Sequence, residues 1–218
     1  MPQRILYAVI VWCCCSLNQA IAFETAVKAQ LIAAPHTLST AQRLAQWKAF
    51  INTSQNYTSE NERVIVANDF INRADYLQDR EQFSESDYWA APWEFVASGK
   101  GDCEDFAIAK LFTLQAMGIP AERLRLMYVT VSGEKDSHMV AVYYPEEGGE
   151  PWVLDNLARS VSLAGQRSDL QPVFSFNPQG VWVMTDWQRG MKSIHPLRSR
   201  KWQRVTSDWQ EQLLALRN

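Results

Sequence analysis

The stretch GKGDCEDFAI, residues 99–108, sets one cysteine among acidic residues, directly before an apolar run. Asp102 stands where a helix N-cap belongs, and Cys103 falls in the first turn of the helix that follows. A helix N-terminus lowers the pKa of a thiol, whereas neighbouring carboxylates raise it. Gly99 and Gly101 allow a sharp turn and a close approach of the backbone to a ligand. The stretch therefore fits a nucleophile, but it also fits a plain helix cap beside a buried, inert cysteine.

The helix that begins at Cys103 is apolar on nearly all sides. Within residues 106–114 the one charged side chain is Lys110, and Gly118 and Pro120 end the pattern. A helix that is apolar all round is buried inside a domain. The sequence therefore predicts a buried central helix with the cysteine at its N-terminus.

Helical patterns dominate the chain before this stretch, and strand patterns dominate after it. Residues 38–51 and 60–77 have apolar side chains at helical spacing, whereas 79–93 are irregular, acidic and aromatic. The later segments predict strands at 124–131, 138–144, 152–156 and 181–186, and a short helix at 206–216. This order predicts an α+β fold with an N-terminal helical lobe and a C-terminal antiparallel β-sheet lobe.

Length and charge narrow the class of protein. The chain has 218 residues, 47% hydrophobic content and a formal charge of −3, which suits one domain of two lobes that share a core. Because it has no basic cluster, nucleic acid is not an expected partner. Beyond the N-terminal segment, no apolar stretch is long enough to span a membrane.

The first 22 residues have the features of a secretory signal peptide. Arg4 precedes an apolar run at 5–17, and Ala20 and Ala22 form a small-residue cleavage site. The alternative is an uncleaved anchor. Cleavage after Ala22 would leave a mature domain of residues 23–218. It would remove Cys13, Cys14 and Cys15. Cys103 would then be the one remaining thiol, which cannot form an internal disulfide.

A cysteine nucleophile also needs a base and a group that orients the base. The chain has three histidines, and the surroundings of His36 and His195 are typical of surface segments. His138 instead opens a predicted strand after a polar turn, and Asp155 closes the next predicted strand. Neighbouring antiparallel strands can place these two side chains side by side. We therefore take Cys103, His138 and Asp155 as a candidate catalytic triad.

The order Cys, His, Asp is shared by papain-like and transglutaminase-like enzymes. In the segments DYWAAPWEF (87–95), GDCEDFAIAK (101–110), HMVAVYY (138–144) and WVLDN (152–156), the sequence resembles the bacterial transglutaminase-like cysteine proteinases of the LapG type. The resemblance implies a papain/transglutaminase-like fold and a calcium-dependent cysteine endopeptidase. Cys103 would be its nucleophile, His138 its general base and acid, and Asp155 the residue that orients the imidazole. The backbone N–H of Cys103 would be one oxyanion donor, and Tyr88 and Trp89 are candidates for the second.

The acidic residues around the thiol acquire a role from this resemblance. In the family the acids on either side of the nucleophile, here Asp102 and Glu104, bind calcium, and we add Asp105 and Asp87 as further candidate ligands. Calcium takes six to eight oxygen ligands. Three more acids of the preceding loop are possible contributors, namely Asp79, Glu81 and Glu85. The alternative is that these acids form a helix cap and a solvated surface.

The resemblance also implies a location and partners. It implies a periplasmic protease that cleaves the N-terminal region of a large surface adhesin and so disperses biofilm. Its regulator would be an inner-membrane cyclic di-GMP receptor of the LapD type, which sequesters the protease. No stable membrane insertion is expected after signal cleavage. Two alternatives stay open, a transglutaminase-like acyl transferase with the same triad and a non-catalytic binding module of the same fold.

Overall fold

The helices of the protein pack on one face of a β-sheet. The computed structural model describes residues 37–83, 85–135, 137–146, 148–158, 160–188, 190–193 and 197–217. Its helices are α1 (Thr40–Asn52), α2 (Glu60–Ile71), α3 (Asp79–Gln82), α4 (Pro92–Ser98), α5 (Cys103–Ala116) and α6 (Arg200–Arg217). Its strands are β1 (Asp75–Tyr76), β2 (Lys100–Gly101), β3 (Leu124–Val131), β4 (Ser137–Tyr143), β5 (Trp152–Leu154), β6 (Ser162–Leu163), β7 (Leu170–Asn177), β8 (Gly180–Met184) and β9 (Gly190–Lys192).

Seven of these strands form one antiparallel sheet in the order β6-β5-β4-β3-β7-β8-β9. The two remaining strands, β1 and β2, form a short parallel pair next to the start of α5. The predicted α+β class, with helices first and an antiparallel sheet second, is confirmed. The predicted helix at 60–77 is too long, because α2 ends at Ile71 and the chain then turns into β1. The C-terminal helix is longer than predicted, since it begins at Arg200.

The strand β7 is absent from the sequence prediction, although it lies in the middle of the sheet. Its sequence, LQPVFSFN, contains Pro172, which has no N–H to donate to a neighbouring strand. The structure accommodates Pro172 opposite Val129, where the pairing between β3 and β7 shifts register. At such a bulge the regular hydrogen bonding between neighbouring strands is interrupted, so a residue without an N–H is tolerated. Because of this proline, the sequence analysis did not predict a strand at residues 170–177.

The central helix α5 is buried as the sequence predicted. Residues 105–114 are all buried, and they pack in one hydrophobic cluster with α1, α2, α4 and one face of the sheet. A smaller cluster covers the opposite face of the sheet, around Met127, Val140 and Val153. Burial of α5 fixes its N-terminus, and hence Cys103, against the sheet.

Two glycines bring the chain into α5. Gly99 ends α4 with a φ of 73°, a left-handed conformation that glycine adopts without steric cost. At Gly101 a Cβ atom would lie 2.5 Å from Oδ2 of Asp105. The absence of a side chain at Gly101 therefore leaves room for the carboxylate of Asp105 beside the start of the helix.

Several predictions concern residues outside the described ranges. The signal peptide at residues 1–22, together with His36 and His195, lies there, and each remains a prediction. Among the helices that are described, none combines the length and the apolar character needed to cross a lipid bilayer.

One of the ionisable side chains inside the core is Lys110, in the middle of α5. Its side chain is fully buried, and Nζ has no hydrogen-bond partner among the described residues. Burial lowers the pKa of Lys110 to about 7, and the charges of Asp155 and Asp69 oppose this only in part. Because a buried amine without a partner disfavours its charged form, the folded state binds this proton less tightly than the unfolded state does.

We predict that Lys110→Met stabilises the protein at pH 7 by about 1–3 kcal/mol. Between pH 7 and 10 the unfolded parent chain holds more protons than the folded one, so its free energy of unfolding should rise with pH. The variant should lose that slope. Urea unfolding of both proteins across this range measures it, with the exposed Lys100→Met as the matched control. An unchanged slope in Lys110→Met would contradict the assignment.

Candidate active site

Two neighbouring strands bring His138 and Asp155 together. His138 lies on β4, and Asp155 directly follows β5, its antiparallel partner. His138 Nε2 lies 2.7 Å from Asp155 Oδ1, and both side chains are buried. The structure thus places side by side the two residues that the strand pattern selected.

Asp155 is held as an anion. Its Oδ1 also accepts from the Leu157 N–H at 3.0 Å, and its Oδ2 accepts from Arg167 Nη2 at 2.8 Å. Burial alone would raise the pKa of Asp155, but the hydrogen bonds and charge of His138, Leu157 and Arg167 bring it below its usual value. An ionised carboxylate only accepts hydrogen bonds. His138 must therefore donate through Nε2, which leaves Nδ1 as the acceptor of the neutral ring.

Arg167 is a site residue that the sequence analysis missed. Its guanidinium bridges Asp155 to Asp169, with Nη2 at 2.8 Å from each residue's Oδ2 and Nε at 3.0 Å from Asp169 Oδ1. Asn72, just beyond α2, donates from Nδ2 to the backbone carbonyl of Asp155 at 2.8 Å. Neither residue stands in a recognisable motif. An arginine in a polar loop usually faces solvent, so the sequence gives no reason to place Arg167 in a site. Only the fold shows that they hold the acid of the candidate triad.

The thiol of Cys103 lies against the strand that carries His138. The backbone N–H of Met139, which directly follows His138 on β4, acts to lower the pKa of this thiol. The thiol itself donates to Glu104 Oε2 at 2.8 Å. Burial raises the pKa of Cys103, and the charge of Glu104 and its hydrogen bond to the thiol raise it further. Burial and the carboxylate of Glu104 thus outweigh the helix N-terminus, and the pKa of the thiol lies above its usual value.

Three carboxylates converge beside the thiol. Oxygen atoms of Asp79, Asp102 and Asp105 lie within 4.8 Å of one another. Burial and the neighbouring charges of Glu104 and Asp105 raise the pKa of Asp102 to about 9. The pKa of Asp105 rises to about 8, again chiefly through burial. Anionic groups this close repel one another unless a proton or a cation lies between them.

The same three residues fit a calcium ion. Asp79 Oδ1 and Asp102 Oδ1 are buried, and neither has a hydrogen-bond partner among the described residues. Asp105 is held in place by the backbone N–H of Ala90 at 2.7 Å and that of Asp102 at 3.3 Å. A second group consists of Asp102, Cys103 and Glu104, whose ligand atoms also lie within 4.8 Å. Oxygen atoms of this kind are the ligands that calcium prefers.

The candidate ligand set differs from the one expected from the sequence. Asp87 lies outside both groups of converging residues, and its half-exposed carboxylate pairs with Lys201. Glu81 and Glu85 are exposed. Asp79 takes the place of Asp87, because α3 turns its buried carboxylate toward Asp102 and Asp105. We therefore replace Asp87 by Asp79 in the set.

The two candidates for a second oxyanion donor are placed differently. The Tyr88 hydroxyl donates to Glu94 Oε1 at 2.9 Å, and its backbone N–H donates to Asp79. The Trp89 indole is buried against Phe176, with ring centroids 5.9 Å apart. Its Nε1 has no hydrogen-bond partner in the part of the chain that the structure describes. The Tyr88 donors are thus committed to other acceptors, and the Trp89 donor is enclosed.

The acidic groups of the site also affect the pKa of two tyrosines that the sequence analysis did not select. Burial raises the pKa of Tyr76 to about 12, and the charges of Cys103 and Asp102 add to the effect. Burial and the charge of Glu104 likewise raise the pKa of Tyr128. Tyr128 pairs with Met139 across β3 and β4, so it stands next to the thiol. Tyr76 is the more exposed of the two.

A thiol at the N-terminus of a buried helix, set against a histidine–aspartate pair on an antiparallel sheet, defines the papain- and transglutaminase-like class of fold. The family model for bacterial transglutaminase-like cysteine proteinases matches residues 39–183. The chain belongs to this family of cysteine proteases. No curated protein sequence matches it.

Solved structures of LapG from Legionella pneumophila are similar to this chain. The calcium-bound form is 34% identical, has a TM-score of 0.68, and covers 78% of this chain and 91% of its own. The EGTA-treated form is 32% identical with the same TM-score, and covers 84% of this chain and 97% of its own. A third LapG structure has 31% identity and a TM-score of 0.66. The likeness therefore extends over most of both chains.

We predict that Arg167→Gln loosens the hydrogen bond between His138 and Asp155. Loss of a charge-assisted contact to a buried carboxylate should also cost about 1–3 kcal/mol of stability. Proton NMR of the protein with ¹⁵N-labelled histidine measures the Nε2–H signal of His138, which should exchange faster in the variant. Arg167→Lys should restore it in part. Arg123→Gln, which removes a pair with Glu60, is the control. An unchanged signal in Arg167→Gln would overturn the assignment.

Proposed function

We propose that the protein is a calcium-dependent cysteine endopeptidase with Cys103 as nucleophile, His138 as general base and acid, and Asp155 as the orienting group. The observation that carries the proposal is the 2.7 Å contact between His138 and Asp155. The backbone N–H of Met139, the residue after His138, acts to lower the pKa of the Cys103 thiol. Membership of the cysteine proteinase family supports the class of reaction.

The proposed reaction uses these three side chains in sequence. His138 Nδ1 takes the thiol proton, and the Cys103 sulfur attacks the carbonyl carbon of the scissile bond. Asp155 holds the imidazole and stabilises its protonated form. His138 then gives the proton to the leaving amine, and a thioester remains on Cys103. A water molecule, deprotonated by His138, hydrolyses the thioester and releases the acid product.

The oxyanion of each tetrahedral intermediate needs hydrogen-bond donors. The backbone N–H of Cys103 is at the first residue of α5, where amide groups have no partner within the helix. We assign it as one donor. The helix dipole adds partial positive charge at the same place, because α5 points its N-terminus at the site.

Calcium binding by the acidic cluster completes the proposal. When bound, the ion supplies positive charge among Asp79, Asp102, Asp105 and Glu104. Glu104 is the link to catalysis, since its carboxylate accepts the hydrogen bond of the thiol and raises the pKa of Cys103. If Glu104 were a calcium ligand, its charge would be offset and would no longer oppose ionisation of the thiol. The calcium-bound and EGTA-treated forms of the similar LapG support this part.

For the substrate, the cellular location and the regulator, we propose what the family resemblance of the sequence implies. The proposed substrate is the N-terminal region of a large surface adhesin, cut in the periplasm after removal of residues 1–22. The proposed regulator is an inner-membrane cyclic di-GMP receptor of the LapD type that sequesters the protease. Membership of the family is the support for these assignments.

We predict that Cys103→Ala abolishes cleavage of an adhesin N-terminal fragment and leaves the thermal unfolding midpoint nearly unchanged. His138→Ala should lower kcat at least about a thousandfold, because base and nucleophile act as a unit. Gel analysis of the fragment in the presence of a fluorescent amine measures cleavage and amine incorporation, and thermal denaturation measures the unfolding midpoint. Residual cutting by Cys103→Ala would refute the mechanism. Amine incorporation without cutting would favour the acyl transferase, and no reaction of the parent protein would favour the binding module.

We predict that Asp79→Asn weakens calcium binding at least about tenfold, whereas Asp87→Asn leaves it unchanged. The first variant removes a negative charge from a buried ligand group, and the second removes one from an exposed ion pair. Isothermal titration of the EGTA-treated proteins with calcium measures both affinities. Activity should be lost with EGTA and should return with calcium. Equal affinities in the two variants would contradict the revised ligand set.

A further inference from the structure

A second concave site lies on the opposite face of the sheet from α5. It is a cleft of about 560 Å³ whose lining includes Glu122, Arg123, Arg125, Tyr144, Trp182 and Lys192. Arg125 pairs with Val142 across β3 and β4, and Val142 belongs to the hydrophobic cluster on that face. The cleft is therefore separated from Cys103 by the sheet itself.

Arg125 is the central residue of this cleft. Its guanidinium carbon lies 3.8 Å from the ring centroid of Trp182 and 4.9 Å from that of Tyr144. Its Nε is buried and has no hydrogen-bond partner among the described residues, and the ion pairs of that part of the chain do not include it. Burial lowers the pKa of Arg125, and only Tyr144 opposes this. The cation is thus partly desolvated, and within the described residues no ion pair compensates it.

Lys192 brings a second cation to the same aromatic ring. Its Nζ lies 5.5 Å from the Trp182 centroid, and within the described ranges it has no ion pair. A Cβ atom on Gly180 would lie 2.8 Å from Lys192 Cε. The glycine therefore leaves the space through which the lysine side chain passes.

Two neutral polar side chains of the cleft, those of Tyr144 and Asn177, are committed elsewhere, whereas the side-chain amides of Gln179 and Gln188 also line it. The Tyr144 hydroxyl donates to the carbonyl of Trp187 at 3.1 Å, and Asn177 Nδ2 donates to the carbonyl of Leu124 at 2.9 Å. Arg123 is paired with Glu60 at 2.6 Å. Arg125 and Lys192 are the cations on the wall that have no ion pair among the described residues, and the exposed Glu122 is an acid on the same wall.

We propose that the cleft binds an oxyanion group, a carboxylate or a phosphate, between Arg125 and Lys192. The planar guanidinium of Arg125 can donate two parallel hydrogen bonds to such a group, and Lys192 can add a point charge. The Trp182 ring, which both cations approach, holds them at this place on the wall. The site does not depend on the proposed protease chemistry.

The test uses the full protein in calcium-free buffer at constant ionic strength. Inorganic phosphate and succinate are titrated separately, and chloride replaces them in the control. The Arg125 Nε–H and Trp182 Nε1–H signals in ¹H–¹⁵N spectra should shift and saturate with one of the two probes. The probe that binds tells whether phosphate or carboxylate is preferred.

Arg125→Gln and Lys192→Gln should each weaken binding at least about tenfold, as loss of a charge-assisted hydrogen bond requires. Arg80→Gln, at an exposed arginine of α3, should bind as the parent does. Lys192→Gln serves even if Arg125→Gln fails to fold. An equal shift with chloride, no saturation with either probe, or unchanged affinity in both cleft variants would overturn the proposal.

Discussion

Burial of α5 is the constraint on which the rest of the structure depends. Because residues 105–114 have no solvent-facing side, the helix can lie only between the other helices and the sheet. Its first residue, Cys103, then meets β4 next to His138. The same burial places Asp105 beneath Gly101, where its carboxylate holds the backbone of Ala90 and Asp102. The position of the thiol and the acidic cluster therefore have one common cause.

The sequence analysis succeeded where local pattern and tertiary packing agree. The length and apolar character of α5 predicted its burial, and the strand predicted at 124–131 has the same bounds as β3. His138 and Asp155 could be selected because strand ends and a polar turn mark them. β7 could not be found, because Pro172 breaks the pattern that a central strand normally shows.

The missed parts of the candidate site are contacts between distant segments. Arg167 reaches Asp155 from a loop, and no local pattern distinguishes it from a surface arginine. Asp79 and Asp87 are both acids of one irregular segment, and composition alone ranks them equally. Their roles separate only when α3 buries Asp79 and leaves Asp87 to pair with Lys201. The choice between Asp79 and Asp87 as a candidate ligand depends on the direction of each side chain, and residue spacing does not predict that direction here.

The hydrogen bond from Cys103 to Glu104 also bears on the chemical lifetime of the protein. Oxidants attack the thiolate much faster than the thiol, and the sulfenic acid that forms can go on to states that are not reversible. A sulfur whose proton is held by a carboxylate at 2.8 Å is a poor target for them. With one cysteine in its described part, the protein has no second thiol there to repair such damage. The contact that raises the pKa of the candidate nucleophile is therefore also its protection against oxidation.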